Sequence, residues 1–339
     1  MVANFDIDAP DAVVAVAASA GGVEALSGFV SVLPADFPAT VLIVLHIPPA
    51  GPSVLPMILS RAGKLPARHP ADGDPLHKGD IMVAPPDKHM TVDELKVRVM
   101  TGPRENGHRP AADVLLRGVA ESFGDRAAGV VLSGTMDDGA AGLRAIRAVG
   151  GLALVQDPEE AAFPGMPLAA MHEAEPHFVG PVTLLAERVC TWLAELPIVQ
   201  PSFGSVIIPD AAGGDVADLT PLTCPECGGT LWHRSDYGAE RYRCRVGHTF
   251  SADGLMLGKQ AALESALWAA IVALDERAEV SRRIAKRLTD SGRSSQLARY
   301  QDDTKAAEER AVVLRNLIRD LVQGVNVSYD EGDIGNAAG

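Results

Sequence analysis

The sequence predicts an α/β fold: a doubly wound, mostly parallel sheet of Rossmann-like type with an antiparallel hairpin at its edge. A small cysteine-containing module and a helical hairpin are expected to follow. Three observations carry this reading. Apolar strand-like runs alternate with helix-period stretches as far as Leu196, which favours parallel strands with helices on both faces. Residues 198–220 are rich in Pro, Gly and Asp, as linkers are. Three of the four cysteines then fall between Thr223 and Phe250, ahead of two apolar stripes at helical spacing.

Val13, Val14 and Val16 read as a short buried strand, and Val23, Leu26, Val30 and Leu33 as a helix that Pro34 stops. Further strands are expected at Val41–Leu45, Ile81–Ala84, Gly129–Leu132 and Leu152–Val155, and further helices at Ala112–Phe123, Gly142–Val149 and Pro181–Leu196. Asp74–Val99 shows no helical spacing and suits the edge hairpin. Farther on, Leu263, Leu267, Ile271, Leu274 and Ala278 share one helix face, and Tyr300, Ala307, Ala311, Leu314, Ile318 and Leu321 another. These make an αα-hairpin broken near Gly292 and ended at Gly324, its stripes fitting an internal core or a homo-oligomer seam. The boundaries read from this are an α/β domain over 1–196, a linker over 197–222, the cysteine module over 223–252, the hairpin over 253–324 and an acidic disordered tail over 325–339.

With 339 residues, 47% of them hydrophobic, and a mean hydropathy of +0.10, the chain can bury a sizeable core. Aromatics are only 4%, so that core must be aliphatic and alanine-rich. A formal charge of -14 argues against nucleic acid as a partner. No signal-peptide pattern and no apolar run long enough to cross a bilayer is seen, so no membrane insertion and a cytoplasmic location are expected. Four cysteines in a reducing compartment favour metal over disulfides.

Ser19 sits between the first strand and the first helix, in A-A-S-A-G-G. A strand turning sharply into a helix exposes one side chain and aims backbone amides at whatever sits there. The serine is therefore a nucleophile or a phosphate ligand. A nucleotide site would want an acidic residue at the end of the second strand; this run ends in His46. That removes the ribose-binding group and supplies a general base. A third member comes from Asp137 or Asp138, just past the strand at Gly129–Leu132. Such an acid can take the imidazole Nδ1–H while Nε2 draws the proton from Ser19. A helix-capping role for one of the two is the alternative.

Cys224 and Cys227 form C-P-E-C, and Cys244 with His248 forms C-R-V-G-H after a short hairpin. Two such pairs complete a tetrahedral Cys3His site for structural zinc in a zinc-ribbon-like module. Trp232, Tyr242 and Phe250 are available to cover its small core.

Taken in order, A-A-S-A-G-G, L-H-I-P (Leu45–Pro48) and L-S-G-T-M-D-D-G (Leu132–Gly139) resemble the motifs of the chemotaxis protein-glutamate methylesterases, the CheB family. The likeness continues through A-P-P-D-K-H, G-H-R-P-A-A-D-V-L and Q-D-P-E-E-A-A-F-P-G-M-P, over Val13–Leu196. It implies Ser19 as nucleophile, His46 as base and Asp138, which directly precedes Gly139, as the orienting acid. The implied reaction hydrolyses glutamate γ-methyl esters on a methyl-accepting chemoreceptor, with glutamine deamidation in some members and no catalytic cofactor. Oxyanion donors are expected among the backbone amides of Ala20, Gly21, Thr135 and Met136. Thr135 stands where the family has methionine. His108 is expected to line the cleft, with Arg109 offering charge to an acidic receptor; a helix-start loop explains both equally. No receiver domain precedes the α/β segment, so an orphan form is expected, and a signalling scaffold with a vestigial triad is the competing reading.

Overall fold

The computed structural model describes residues 8–47, 53–197, 218–290 and 296–325. Most of the expected linker, Pro48, the break near Gly292 and the tail beyond residue 325 lie outside these. The chain divides into two compact units, Met1–Gly258 and Lys259–Gly339.

In the first unit the strands are β1 (Val13–Ala18), β2 (Thr40–Leu45), β3 (Ala67–Arg68), β4 (Ile81–Val83), β5 (His89–Asp93), β6 (Lys96–Met100), β7 (Ala127–Val131), β8 (Leu152–Gln156) and β9 (Phe178–Gly180). The helices among them are α1 (Gly22–Val32), α2 (Leu55–Ala62), α3 (Ala112–Phe123), α4 (Ala140–Ala148), α5 (Gly165–Ala174) and α6 (Val182–Glu195). Seven strands form one sheet in the order β3-β4-β2-β1-β7-β8-β9, and all their pairings are parallel. Every residue of β1 and β2 is buried, as continuous apolar runs in a doubly covered sheet require. Strand alternation divides them between two cores. Val13, Ala15 and Ala17 face α3, α4 and α5; Val14, Val16 and Ala18 face α1, α2 and α6. Gly129 in β7 lets two helices approach: a Cβ there would lie 2.7 Å from Leu143 Cδ1 and 3.0 Å from Leu116 Cδ2.

The expected antiparallel hairpin forms as β5–β6, but as its own two-stranded ribbon rather than an edge of the large sheet. Met90, Val92 and Val97 bury its inner face in the same core as α3, which replaces edge pairing with side-chain packing. Four elements carried too little pattern to be read: β3 and β9 are only two and three residues long. α2 has a proline as its second residue, and α5 is apolar without a clear stripe, leaving Leu168 and Met171 exposed.

The cysteine module is a four-stranded antiparallel sheet of β10 (Asp218–Thr223), β11 (Thr230–Asp236), β12 (Ala239–Cys244) and β13 (Thr249–Phe250). It begins inside the stretch read as linker and belongs to the first unit. Its core is Cys224, Leu231, Cys244, Phe250 and Leu255, with Tyr242 packed against it; Trp232 stays outside that cluster.

Two long helices follow, α7 (Ala252–Asp290) and α8 (Leu297–Val325). Ile271, Ala278 and Ala285 are buried, as are Ala307, Ala311 and Ile318 on α8. Leu263, read as part of the stripe, is exposed. Ion pairs Arg277–Asp303, Arg282–Glu308 and Arg315–Asp275 join the helices. By length and composition alone α7 is long and apolar enough to cross a bilayer, although Lys259, Glu264 and Asp275 interrupt its apolar run.

Candidate active site and metal site

β1, β2 and β7 are neighbours, so the loops leaving their carboxyl ends share one crevice, where doubly wound sheets place ligands. Ser19 follows β1 directly. Its amide donates to Ser133 O at 2.9 Å, and the Gly22 amide closes on Ser19 O at 2.9 Å. Gly21 makes this turn with φ +70, a left-handed conformation natural to glycine. A Cβ at Gly134 would stand 2.9 Å from Ser19 Cβ and 2.1 Å from Met166 Sδ, so the serine rests against bare backbone.

His46 follows β2, and its side chain is 8% exposed. Its Nε2 lies 2.7 Å from Asp138 Oδ2. Asp138 also accepts the amides of Ala112 at 2.7 Å and Asp113 at 3.0 Å, the first residues of α3. Burial alone would raise this carboxyl. The hydrogen bond and charge of His46, with the Ala112 amide, hold it well below the usual carboxylate range. An ionised carboxylate only accepts, so Nε2 carries the proton.

This reverses the roles expected for the two ring nitrogens. Asp138 is drawn deep against the start of α3 and meets the distal nitrogen; Nδ1 is the buried nitrogen without a partner. Among the described residues no hydrogen bond joins the Ser19 hydroxyl to His46; contacts of this kind often tighten only when substrate binds. Of the two candidate acids, only Asp138 reaches His46; Asp137 is held up by burial, with a Ser251 hydrogen bond opposing.

His108 stacks on His46, ring centroids 4.0 Å apart and planes 4° from parallel. Burial, then the neighbouring His46 charge, presses its imidazole down to about 4, so it is neutral near pH 7. Sequence reasoning left this residue as a cleft or loop position; the stack depends on tertiary placement that no spacing reveals. Arg109 is not a free charge. Its guanidinium donates twice to Asp87, at 2.9 and 2.7 Å, and once to Gly102 O at 2.7 Å, which makes it a tie between loops rather than the substrate contact expected.

The amides of Ala20, Gly21, Thr135 and Met136 donate to no described residue, whereas those of Gly22 and Gly134 are used within the fold. Met136 takes φ +68, unusual for a side-chain-bearing residue, and Thr135 is exposed.

Two residues that the sequence gives no role stand behind the His46–Asp138 pair. Asp113 accepts the Gly139 amide at 3.0 Å and the Gly142 amide at 2.7 Å, the start of α4. Its other oxygen accepts Arg241 Nη2 at 2.8 Å, from β12 of the cysteine module.

In that module the donor atoms of Cys224, Cys227, Cys244 and His248 all lie within 4.8 Å of one another. Cys227 Sγ is 3.7 Å from Cys244 Sγ, and His248 Nδ1 is 3.7 and 3.5 Å from the sulfurs of Cys224 and Cys244. A tetrahedron with Zn–S of about 2.3 Å has S–S edges near ~3.8 Å, so these residues fit zinc.

Residues 14–189 match the family model described as CheB methylesterase. A protein-glutamate methylesterase/protein-glutamine glutaminase of Koribacter versatilis is 37% identical over 166 residues, 48% of this chain and 46% of the relative. One of Anaeromyxobacter dehalogenans is 39% identical over 183 residues, 53% of this chain and 54% of its own length. The chain thus spans about half the length of these curated relatives. Among solved structures, the CheB methylesterase catalytic domain of Thermotoga maritima superposes with a TM-score of 0.51 at 28% identity, covering 53% of this chain and 98% of that domain.

Proposed function

The chain belongs to the CheB methylesterase family, and on that premise we propose that it hydrolyses glutamate γ-methyl esters on a methyl-accepting chemoreceptor in the cytoplasm. The observation that carries this reading is the 2.7 Å bond from His46 to Asp138 beside a serine at a strand-to-helix turn. Ser19 Oγ attacks the ester carbonyl while His46 Nδ1 takes its proton, and Asp138 stabilises the imidazolium. The oxyanion is received by free amides among Ala20, Gly21, Thr135 and Met136. Imidazolium returns the proton to the methoxide oxygen, methanol leaves, and a water activated by the same histidine cleaves the acyl-serine to glutamate. A glutamine side chain would follow the same course with ammonia leaving.

The module's Cys3His set would hold zinc structurally: all four tetrahedral positions come from protein, leaving none for a substrate. The reading is tested with methyl-labelled receptor. Wild-type protein is expected to release methanol and Ser19→Ala is not; equal rates for the two would defeat it and favour the scaffold alternative.

A further inference from the structure

We infer that Arg241, carried by the cysteine module, is a positioning residue for the catalytic triad of the α/β domain. This rests on the esterase reading for its assay, but the observations are independent of it. Arg241 lies on β12 with a side chain only 5% exposed, and Asp113 opposite it is fully buried. From their 2.8 Å bond a continuous path leads to the site. Asp113 holds the amides of Gly139 and Gly142. Gly139 adjoins Asp138, and Asp138 holds His46. The only spans not covalent are hydrogen bonds of 2.7 to 3.0 Å.

Charge explains why this arginine is needed there. The groups acting on Asp113 are Arg241, Asp138, Glu105 and Arg117. Glu105 is taken by Arg117, with bonds of 2.6 and 2.7 Å, and Asp138 by His46. Among the described residues the cation bonded to Asp113 is Arg241. Burial pushes its carboxyl up to about 7, and Arg241 is the strongest influence holding it from rising further. All three of its contacts are donors, an arrangement suited to an ionised acceptor. Without the guanidinium, an unpaired buried carboxylate must take a proton or shift, and the start of α4, which carries the Asp138–Gly139 turn, shifts with it. The guanidinium is kept in place even though its Nε is buried without a partner.

Other contacts dock the module independently. Tyr237 OH donates to Glu121 at 3.3 Å, the Asn106 amide to Thr249 O at 2.8 Å, and the Ser251 amide to Asn106 Oδ1 at 2.8 Å. Removing the charge should therefore leave the module seated.

The test uses full-length, metal-containing protein. Arg241→Gln is expected to lower kcat for methanol release about tenfold with KM changed less than twofold, Arg241→Lys to fall between it and wild type, and Tyr237→Phe to match wild type. Wild-type kcat in folded Arg241→Gln overturns the inference, as does an equal loss in Tyr237→Phe, which would assign the effect to docking. If Arg241→Gln does not fold, Arg241→Lys decides: at least a threefold fall in kcat supports the role, and wild-type kcat refutes it. The His46 ring resonances, followed by NMR without substrate, are expected to move in the folded 241 variants and not in Tyr237→Phe; unmoved resonances overturn the inference. If wild-type protein releases no methanol, the esterase reading fails while the NMR arm still decides this one.

Discussion

Asp113 and Asp138 cap each other's helices. Asp138, two residues before α4, accepts the first amides of α3; Asp113, in the first turn of α3, accepts amides at the start of α4. Each carboxylate meets the positive end of the other's helix, where orphan amides need acceptors. Asp138 thus serves the helix pair and His46 with one carboxylate, so the acid that meets His46 is fixed by the fold.

Both oxygens of Asp138 accept hydrogen bonds. In Asp138→Asn one of them becomes an NH2 facing a donor, which costs about 1–3 kcal/mol. We expect a lower denaturation midpoint in urea together with a kcat loss of roughly 10²- to 10⁴-fold. A variant with full activity would remove Asp138 from the triad.

His108 has a folded pKa of about 4 against an ordinary 6.5. Between those values the unfolded chain binds more protons, so this residue makes stability fall as pH drops through that window, and adds nothing further below it. His108→Phe keeps a ring against His46 and removes the titration. Urea unfolding at pH 7 and pH 5 should show wild type losing roughly 1–2 kcal/mol more than the variant; parallel losses would mean that His108 titrates normally.

The turn that carries Ser19 has no room for methyl groups. At Gly21 a Cβ would sit 2.7 Å from Ser133 Oγ and 2.8 Å from Ala162 Cβ, at φ +70. Gly21→Ala should destabilise by about 1–2 kcal/mol from the left-handed backbone alone. Gly134→Ala presses on Ser19 Cβ and Met166, and should lower kcat more than it lowers thermal stability. Calorimetry and methanol release on the same preparations separate the two effects.

Purified protein should contain near one zinc per chain by elemental analysis. Cys227→Ser should lower both that content and the melting temperature of the protein, since structural zinc contributes directly to folding. A melting temperature indifferent to metal removal would leave the four ligands without a structural task.

The central sheet was legible because β1, β2 and β7 are continuous apolar runs, and β2 runs into His46 where a ribose-binding crevice would carry an acid. The Cys3His cluster was legible from spacing alone, because two short turns bring both pairs together. Arg109 misled because sequence cannot show that Asp87, twenty-two residues earlier, already holds it. The His46 nitrogens exchanged roles because ring orientation follows from how deep Asp138 is pulled by α3, a tertiary matter. Arg241 and Asp113 are 128 residues apart, and no local pattern couples a ribbon strand to a distant helix start.

That ion pair also sets where the protein can be divided. A cut after Pro197 would look natural, since the sheet and α6 are complete there. It would nonetheless strip Asp113 of its cation, and the carboxyl left in the isolated fragment would have to take a proton or shift, disturbing the start of α4. Grafting a different module onto this half, or trading halves between relatives, would have to bring a guanidinium to the same place. The working border of the α/β half is thus drawn by one charge at position 241.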